Sequence, residues 1–352
     1  MQVGSLDTPV ATVDLDAVER NIRRMQGYCD EHGLAFRPHI KTHKLPAIAH
    51  MQLRAGAVGI TCQKLGEAEV MEAAGLTDIL LTFPLVGAAK AERLAALARE
   101  ANVSVVGDSA TMAGGLSVVL EREDADVGFL VECDTGFART GVQSPEAAAE
   151  LAELVDSLPG LRFDGLMTYP TLPESGPWLR AAREAIQARG LHVDRVSAGG
   201  TPTWALNHLV GEITEVRAGT YVYGDRSCIA NGSVSLADCA LRIRATVVSR
   251  PTAERAILDA GSKTLTNDPA EDASGGGHGL IVEYPDARIY TLSEEHGHVD
   301  VGACRPGPEV GEVVTIVPNH ACGCTNLHDE VAVHRGGRVV GFWPVAARGK
   351  LR

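Results

Sequence analysis

The sequence lacks any apolar run of the about 18 residues that a membrane-spanning helix needs, and its first residues lack a signal-peptide pattern. It also lacks an excess of positive charge, because 32 Lys and Arg stand against 45 Asp and Glu, a formal net charge of -13. These absences argue against nucleic acid and anionic membranes as partners. We therefore expect a cytoplasmic protein that acts on a small molecule.

The sequence also lacks the cysteine spacing of a disulfide framework. The eight cysteines are scattered, and in a reducing compartment that spacing favours buried small side chains over disulfides. Only Cys322 and Cys324 stand close to other residue types that bind metals.

The length of 352 residues predicts two domains, or one large barrel with a smaller domain. Thr8–Asp14 is typical of a strand, and Asp16 is expected to cap a helix that ends near Cys29. Eight short apolar segments then alternate with helical ones, which favours a closed (β/α)8 TIM-type barrel over an open doubly wound sheet. The eight predicted strands are Leu34–Lys41, Val58–Cys62, Ile79–Phe83, Val103–Asp108, Val127–Asp134, Phe163–Tyr169, Arg195–Ala198 and Glu215–Tyr223.

The pattern changes near Leu236, where helical periodicity nearly disappears and Val/Ile/Thr-rich segments alternate with Gly and Pro turns. We predict a barrel over residues 11–235 and an antiparallel all-β domain over residues 236–352, with residues 1–10 as a candidate extra strand of the latter. Ala270–Gly279 is predicted to be a flexible loop. The predicted C-terminal strands are Leu241–Ser249, Arg255–Leu258, Leu280–Glu283, Ile289–Leu292, Glu312–Ile316, Glu330–His334 and Arg338–Trp343.

Lys41 lies between two histidines just after Pro38, where a buried strand is expected to open into a loop. Apolar and basic neighbours would lower the pKa of its amine, and a neutral lysine can form an imine with an aldehyde cofactor. The same residues would also suit an ordinary surface lysine in a basic loop. His39, at the same strand end, is a second candidate catalytic residue.

Active sites of such barrels form at the carboxyl ends of the strands. Tyr169 ends the sixth predicted strand, and the turn Gly199-Gly200-Thr201 follows the seventh. Glycines let backbone N–H groups approach a phosphate, and the threonine adds a hydroxyl donor. Glycine pairs are common in plain turns, but the position after strand seven favours phosphate binding.

Several short, separated motifs are distributed over nearly the whole chain. They are Arg37-Pro38-His39-Ile40-Lys41-Thr42-His43-Lys44, Asp134-Thr135-Gly136 with Arg139-Thr140-Gly141-Val142, Gly199-Gly200-Thr201-Pro202-Thr203, Arg217-Ala218-Gly219-Thr220-Tyr221-Val222-Tyr223-Gly224, Ser293-Glu294-Glu295-His296-Gly297 and Pro318-Asn319-His320-Ala321-Cys322. In this order the motifs resemble the alanine-racemase-like (fold type III) family of pyridoxal-phosphate enzymes, and within it the D-threonine aldolase / D-serine dehydratase branch.

The resemblance implies roles for individual residues. Lys41 would bind the cofactor covalently and move the α-proton of the substrate, with Tyr169 beside the ring. Arg139 would face the phenolic oxygen of the ring. Arg217 would approach the pyridine nitrogen and keep it unprotonated, which weakens the ring as an electron sink. The phosphate would be bound by Gly199, Gly200, Thr201 and Tyr223.

His320 and Cys322 form a candidate metal pair. In an extended stretch, residues i and i+2 point the same way, so both side chains could bind one ion. An imidazole with a thiolate favours Zn²⁺, although Mn²⁺ or Co²⁺ would suit a site completed by water. On spacing alone, a loop histidine and a buried cysteine are the more common explanation, and Cys324 is an alternative ligand. The resemblance favours His320 and Cys322.

Two further histidines, His296 and His298, lie in a Glu-rich turn. They are candidates for groups that support the metal ligands, or are plain surface residues.

The resemblance implies a lyase that depends on pyridoxal phosphate and a divalent metal, Zn²⁺ or Mn²⁺. It would cleave D-threonine-like D-3-hydroxy-2-amino acids to glycine and an aldehyde. The alternative is a D-serine dehydratase that gives pyruvate and ammonia. An amino-acid racemase would need an acid/base group on each ring face, and non-catalytic pyridoxal-phosphate-binding proteins lack a β-domain, so both are disfavoured. A homodimer is expected by analogy.

Overall fold

The computed structural model describes residues 1–270 and 276–352. They form two compact units. The first comprises Met1–Arg23, Thr42–Leu45 and Thr220–Arg348, and the second comprises Arg24–Lys41, Pro46–Gly219 and Gly349–Arg352. The predicted domain boundary between residues 235 and 236 stays a proposal.

In the described part of the chain, the elements are numbered in chain order. The strands are β1 Val10–Asp14, β2 Ala35–Phe36, β3 Ile60–Cys62, β4 Asp78–Leu81, β5 Asn102–Gly107, β6 Val127–Cys133, β7 Leu161–Thr168, β8 Val196–Ala198, β9 Glu215–Val216, β10 Leu241–Thr252, β11 Arg255–Leu258, β12 Leu280–Ile281, β13 Arg288–Leu292, β14 Gly297–Asp300, β15 Val313–Val317, β16 Glu330–Arg335 and β17 Arg338–Pro344. The α-helices are α1 Leu15–Glu31, α2 Pro46–Arg54, α3 Leu65–Glu72, α4 Ala88–Glu100, α5 Ala110–Arg122, α6 Pro145–Ser157, α7 Ser175–Gln187, α8 Arg226–Ala230 and α9 Ala321–Thr325. No helix among these residues is both long and apolar enough to span a membrane.

The second unit contains eight parallel strands in the order β2-β9-β8-β7-β6-β5-β4-β3. A parallel bridge between His39 and Thr61 joins the two ends of this order. The topology confirms the TIM-type barrel. The strands are buried on both faces, as all seven residues of β6 show. Leu80, Val106, Leu130 and Met167, from four neighbouring strands, pack in one core cluster.

Two barrel strands, β2 and β9, are much shorter than predicted. β2 ends at Phe36, and Lys41 lies in a 3-10 turn, Ile40–Thr42. Beyond Phe36, the N–H groups of Arg37 and His39 still donate to the carbonyls of Val216 and Ala218. β9 ends at Val216, and a second 3-10 turn follows at Thr220–Val222.

The first unit contains the sheet predicted for the C-terminal region. It is antiparallel except where β1, which lies between β10 and β16, pairs parallel with β16. One strand, β14, was not predicted; it pairs with β13 across the Glu-rich turn. Of the predicted loop Ala270–Gly279, residues 271–275 lie outside the described residues. The N–H of Ala270 donates to the carbonyl of Gly277 at 3.0 Å.

The predicted cap of α1 is wrong by two residues. Oδ1 of Asp14 accepts the backbone N–H of Asp16 at 2.9 Å and that of Ala17 at 3.4 Å. The carboxylate of Asp16 instead accepts a hydrogen bond from Arg335 on the adjacent β16 at 2.8 Å. Asp14 therefore satisfies the first N–H groups of the helix.

A buried ion network lies at the amino-terminal ends of the barrel strands. Glu215 Oε2 accepts from Arg37 Nε at 2.8 Å, while Oε1 accepts from Arg195 Nη2 at 2.8 Å and Ser197 Oγ at 2.6 Å. Arg37 also pairs with Asp78. Burial by itself would raise the pKa of Glu215, but the charges of Arg37 and Arg195 outweigh it and hold the pKa below its ordinary value.

Replacing Glu215 with glutamine should lower the free energy of unfolding at pH 7 by about 3–5 kcal/mol, because two buried cations lose their partner. The native carboxylate has a lowered pKa, so its contribution is present above about pH 4.5 and is lost as the pH falls through the folded-state pKa. The difference between wild type and Glu215→Gln should therefore shrink below pH 4.5. Urea denaturation at several pH values measures this. Glu153→Gln, at an exposed pair with Arg189, is the control at about 0–1 kcal/mol. Equal urea midpoints for wild type and Glu215→Gln at pH 7 would contradict the prediction.

Candidate functional site

Lys41 and His39 converge on one amide at the carboxyl ends of β2, β3 and β4. Gln63 Oε1 lies 3.4 Å from Lys41 Nζ and 3.1 Å from His39 Nε2. Thr82 Oγ1 lies 3.3 Å from His39 Nε2, and its carbonyl accepts from Gln63 Nε2 at 3.2 Å. Sequence reasoning missed Gln63 and Thr82, although both directly follow predicted or observed strand ends. The arrangement orients the Lys41 amine at the carboxyl face of the barrel.

Arg139 and Tyr169 meet in the second unit. The guanidinium carbon of Arg139 lies 5.1 Å from the centre of the Tyr169 ring, and Phe137 packs edge-on against the same ring at 5.5 Å. Arg139 Nη2 lies 3.9 Å from Oε1 of the buried Glu132. Burial raises the pKa of Glu132 despite the hydrogen bond from Thr140 and the charge of Arg139.

The Asp134-Thr135-Gly136 motif shapes the loop that carries Arg139. Oδ1 of Asp134 accepts the backbone N–H groups of Gly136, Phe137 and Ala138 at 2.9, 2.9 and 3.1 Å. These hydrogen bonds, led by that of Gly136, lower the pKa of Asp134. The motif therefore organises a turn.

Gly199 and Gly200 allow two close approaches. Gly199 has φ +102°, a left-handed conformation that favours glycine. A Cβ at Gly200 would lie only 2.7 Å from Cε2 of Tyr169, so the glycine packs directly against this ring. The N–H of Gly199 donates to Thr171 Oγ1 at 2.6 Å, and buried Thr201 begins a 3-10 helix, Thr201–Leu209.

Arg217 is buried and donates from Nη2 to the carbonyl of Thr168 at 2.7 Å. Its Nε has no hydrogen-bond partner among the described residues. Burial lowers the pKa of Arg217 to about 10, so the guanidinium stays protonated at neutral pH. An unpaired buried N–H fits an acceptor from outside the protein, such as an unprotonated pyridine nitrogen.

Tyr223 belongs to the first unit and is fully buried. Its hydroxyl has no hydrogen-bond partner among residues 1–270 and 276–352, and burial raises its pKa. A buried hydroxyl without a protein partner fits a bound phosphate oxygen. This orphaned hydroxyl is consistent with the cofactor that the sequence implies, as is the orphaned Nε of Arg217 when the second unit is considered by itself.

His320 and Cys322 also lie in the first unit, but the stretch is not extended as predicted. His320 precedes α9 and Cys322 lies in its first turn. The turn forms because Oδ2 of Asp225 accepts the N–H of Ala321 at 3.0 Å. The two side chains nevertheless interact: the hydrogen bond with Cys322 raises the pKa of His320, a half-exposed side chain, to about 9.

Two threonine hydroxyls contact the thiol of Cys322. Thr42 Oγ1 lies 3.1 Å and Thr220 Oγ1 3.7 Å from its sulfur. Thr42 directly follows Lys41 in the chain. Sequence reasoning missed both threonines, because nothing local marks residues 280 and 102 positions away as partners.

Cys324 faces a different environment. It is buried and donates to the carbonyl of Thr264 at 3.3 Å, and burial raises its pKa to about 12. His328 Nε2 contacts the same carbonyl at 3.1 Å. Within the described residues, no group of three or more His, Cys, Asp or Glu is placed to hold a metal ion. The imidazole of His320 and the thiol of Cys322 are donors of the types that bind Zn²⁺.

The Glu-rich turn is exposed. Lys263 Nζ lies 2.9 Å from carboxylate oxygens of both Glu294 and Glu295. His296 is exposed, and His298 Nε2 contacts Ser293 Oγ at 3.0 Å. A supporting role for either histidine stays a prediction.

Two family models match the chain. Residues 13–227 match the alanine racemase N-terminal domain, and residues 240–334 match a putative serine dehydratase domain. The chain belongs to the alanine-racemase-like, fold type III family of pyridoxal-phosphate enzymes. Within that family, the chain belongs to the branch of D-threonine aldolases, D-serine dehydratases and hydroxyaspartate aldolases.

Individual relatives cover nearly the full length. A D-threonine aldolase of Arthrobacter sp is 37% identical over 99% of this chain and 94% of the relative. A D-threo-3-hydroxyaspartate dehydratase of Delftia sp. is 33% identical over 90% of this chain and 91% of the relative. The crystal structure of a D-threonine aldolase from Filomicrobium marinum has a TM-score of 0.91 and 34% identity, covering 99% and 97% of the two chains. The homologues are pyridoxal-phosphate-dependent lyases.

Proposed function

We propose that this protein is a lyase, dependent on pyridoxal phosphate and a divalent metal, that cleaves D-threonine-like D-3-hydroxy-2-amino acids to glycine and an aldehyde. The observation that carries the proposal is the convergence of Lys41 and His39 on Gln63 at the carboxyl face of a barrel of this family. The similarity to a D-threonine aldolase supports the choice of reaction. The homodimer and the cytoplasmic location expected from the sequence are part of the proposal.

Pyridoxal phosphate, when bound, supplies an aldehyde for the substrate's amine and a ring that withdraws electrons from the α-carbon. Lys41 Nζ would bind the aldehyde carbon and afterwards exchange a proton with the α-carbon. Tyr169, fixed between Gly200, Phe137 and Arg139, would flank the ring. The free N–H of Arg217 would donate to the ring nitrogen.

The phosphate would be held by two segments of the chain: Gly199, Gly200 and Thr201 in one, and Tyr223 in the other. A divalent metal, Zn²⁺ or Mn²⁺, when bound, lowers the pKa of a coordinated hydroxyl. His320 and Cys322 would hold it. Cleavage needs one proton to leave the β-hydroxyl and one to arrive at the α-carbon, so the metal ligands and Lys41 serve different atoms of one substrate.

Dehydration is the second candidate, favoured by the similarity to a D-threo-3-hydroxyaspartate dehydratase and by the thiol ligand Cys322. Here Lys41 would remove the α-proton and the β-hydroxyl would leave. D-Serine would then give pyruvate and ammonia.

Product analysis separates the two reactions. With D-threonine we expect acetaldehyde and glycine in equal amounts, with little 2-oxobutanoate, because a metal held by His320 and Cys322 would lower the pKa of the β-hydroxyl and so favour C–C cleavage. L-Threonine is the matched control and should not react. Dominant pyruvate from D-serine, with no aldehyde from D-threonine, would show that the protein is a dehydratase.

A further inference from the structure

The loop that carries His320 and Cys322 contacts residues 264–268, a segment of the first unit about fifty residues earlier in the chain. Asp268 contributes two contacts there. Its carbonyl accepts a hydrogen bond from Nδ2 of Asn319 at 2.7 Å, and its carboxylate Oδ2 lies 2.9 Å from Nδ1 of His320. Asn319 is buried and also donates to the carbonyl of Gly277 at 2.7 Å. Asp268 therefore contacts two consecutive residues, Asn319 and His320.

The same segment packs against α9. A Cβ at Gly323 would lie 2.7 Å from Cγ2 of Thr266, so the absence of a side chain at Gly323 permits this contact. The carbonyl of Thr264 accepts from Cys324 Sγ and His328 Nε2. Hydrogen bonds at Thr264 and at Asp268 therefore hold the two ends of this segment.

A carboxylate at Nδ1 determines which nitrogen of an imidazole can bind a metal. A carboxylate accepts and does not donate, so Nδ1 of His320 carries the hydrogen and donates to Asp268. The lone pair of a neutral ring then lies on Nε2. Such partners fix the tautomer and ring orientation of metal-binding histidines and raise their basicity.

We propose that Asp268 is a positioning residue that orients His320 for metal binding through Nε2; this rests on the proposed metal-dependent function. No group of three His, Cys, Asp or Glu residues shares a possible ion position in the described chain. Because Oδ2 of Asp268 lies 2.9 Å from Nδ1 of His320, we expect Asp268 to act through His320 and not as a third ligand.

The test uses the enzyme loaded with cofactor and stripped of metal by a chelator. The Kd for Co²⁺ is measured by titration, following the thiolate charge-transfer band of Cys322. Asp268→Ala should raise the Kd by about 10–100-fold. Asp268→Asn keeps an acceptor oxygen and should recover most of the affinity. Asp286→Asn, at an exposed aspartate of the same unit, is the matched control and should leave the Kd unchanged.

A second readout follows the histidine itself. With ¹⁵N-labelled imidazole, His320 in wild type and Asp268→Asn should show a protonated Nδ1 and a metal-dependent shift at Nε2. At a pH high enough for the metal-free ring to be neutral, the population with hydrogen on Nε2 should be larger in Asp268→Ala than in wild type.

Four outcomes separate the inference from the function it rests on. Unchanged Co²⁺ affinity in Asp268→Ala, with binding lost in His320→Ala, would overturn the inference and leave the function intact. Complete loss of binding in both Asp268 variants, as in His320→Ala, would make Asp268 a direct ligand and also overturn it. Equal Co²⁺ binding by wild type and His320→Ala, or none by wild type, would contradict the metal half of the proposed function. Weakened binding in Asp268→Ala with recovery in Asp268→Asn supports the inference.

Discussion

Lys41→Ala is expected to reduce lyase turnover by more than the loss of a single proton-transfer group would, which is about 10²–10⁴-fold. The reduction is larger because covalent attachment of the cofactor is lost as well. The purified variant should lose the visible absorption of the wild type. Borohydride should bleach the wild type and leave a stable cofactor adduct on the peptide that contains Lys41. Steady-state turnover, absorption spectra and peptide mass measure these effects.

Two nearby lysines serve as controls. Nζ of Lys44 donates to Asn326 Oδ1 at 2.9 Å, and Nζ of Lys64 lies 3.4 Å from the centre of the Phe83 ring. Lys44→Ala and Lys64→Ala should keep the adduct at Lys41. Normal turnover by Lys41→Ala, with unchanged circular dichroism, would refute the assignment.

Removal of the metal should have the second-largest effect. Chelation should reduce turnover by about 10²–10³-fold, the scale on which loss of one charge-stabilising group slows an enzyme. The absorption of the bound cofactor should stay nearly unchanged, because the metal is expected to act on the β-hydroxyl. Added Zn²⁺ or Mn²⁺ should restore activity.

His320→Ala and Cys322→Ala should each reproduce the effect of chelation and resist rescue by metal. Cys324→Ala is the matched control, because its thiol donates to the Thr264 carbonyl. It should keep wild-type metal affinity and nearly normal turnover. Full activity in the metal-free wild type would contradict the metal requirement, and loss of metal binding in Cys324→Ala alone would move the ligand to Cys324.

The predicted backbone conformation of the metal pair is wrong, because that conformation depends on a distant partner. The metal pair was expected on extended chain, where residues i and i+2 share a side. In the structure Ala321 begins a helix, because Asp225, 96 residues earlier, accepts its N–H. The pair still meets because an extended His320 precedes the first helical turn.

The sequence by itself determined the elements and their class. Burial on both faces of a strand and the periodicity of helices are local patterns, so eight repeats were enough to predict the barrel. The positions of Lys41, Tyr169 and the Gly199-Gly200 turn at the carboxyl ends of strands follow from the same pattern.

Only the tertiary structure decided which groups contact these residues. Gln63 reaches Lys41 because β2 and β3 are joined by the His39–Thr61 bridge, and Thr42 reaches Cys322 across 280 positions. Asp268 meets His320 only once its segment packs against α9. Such contacts depend on strand register and on close packing of distant segments, neither of which leaves a local pattern in the chain.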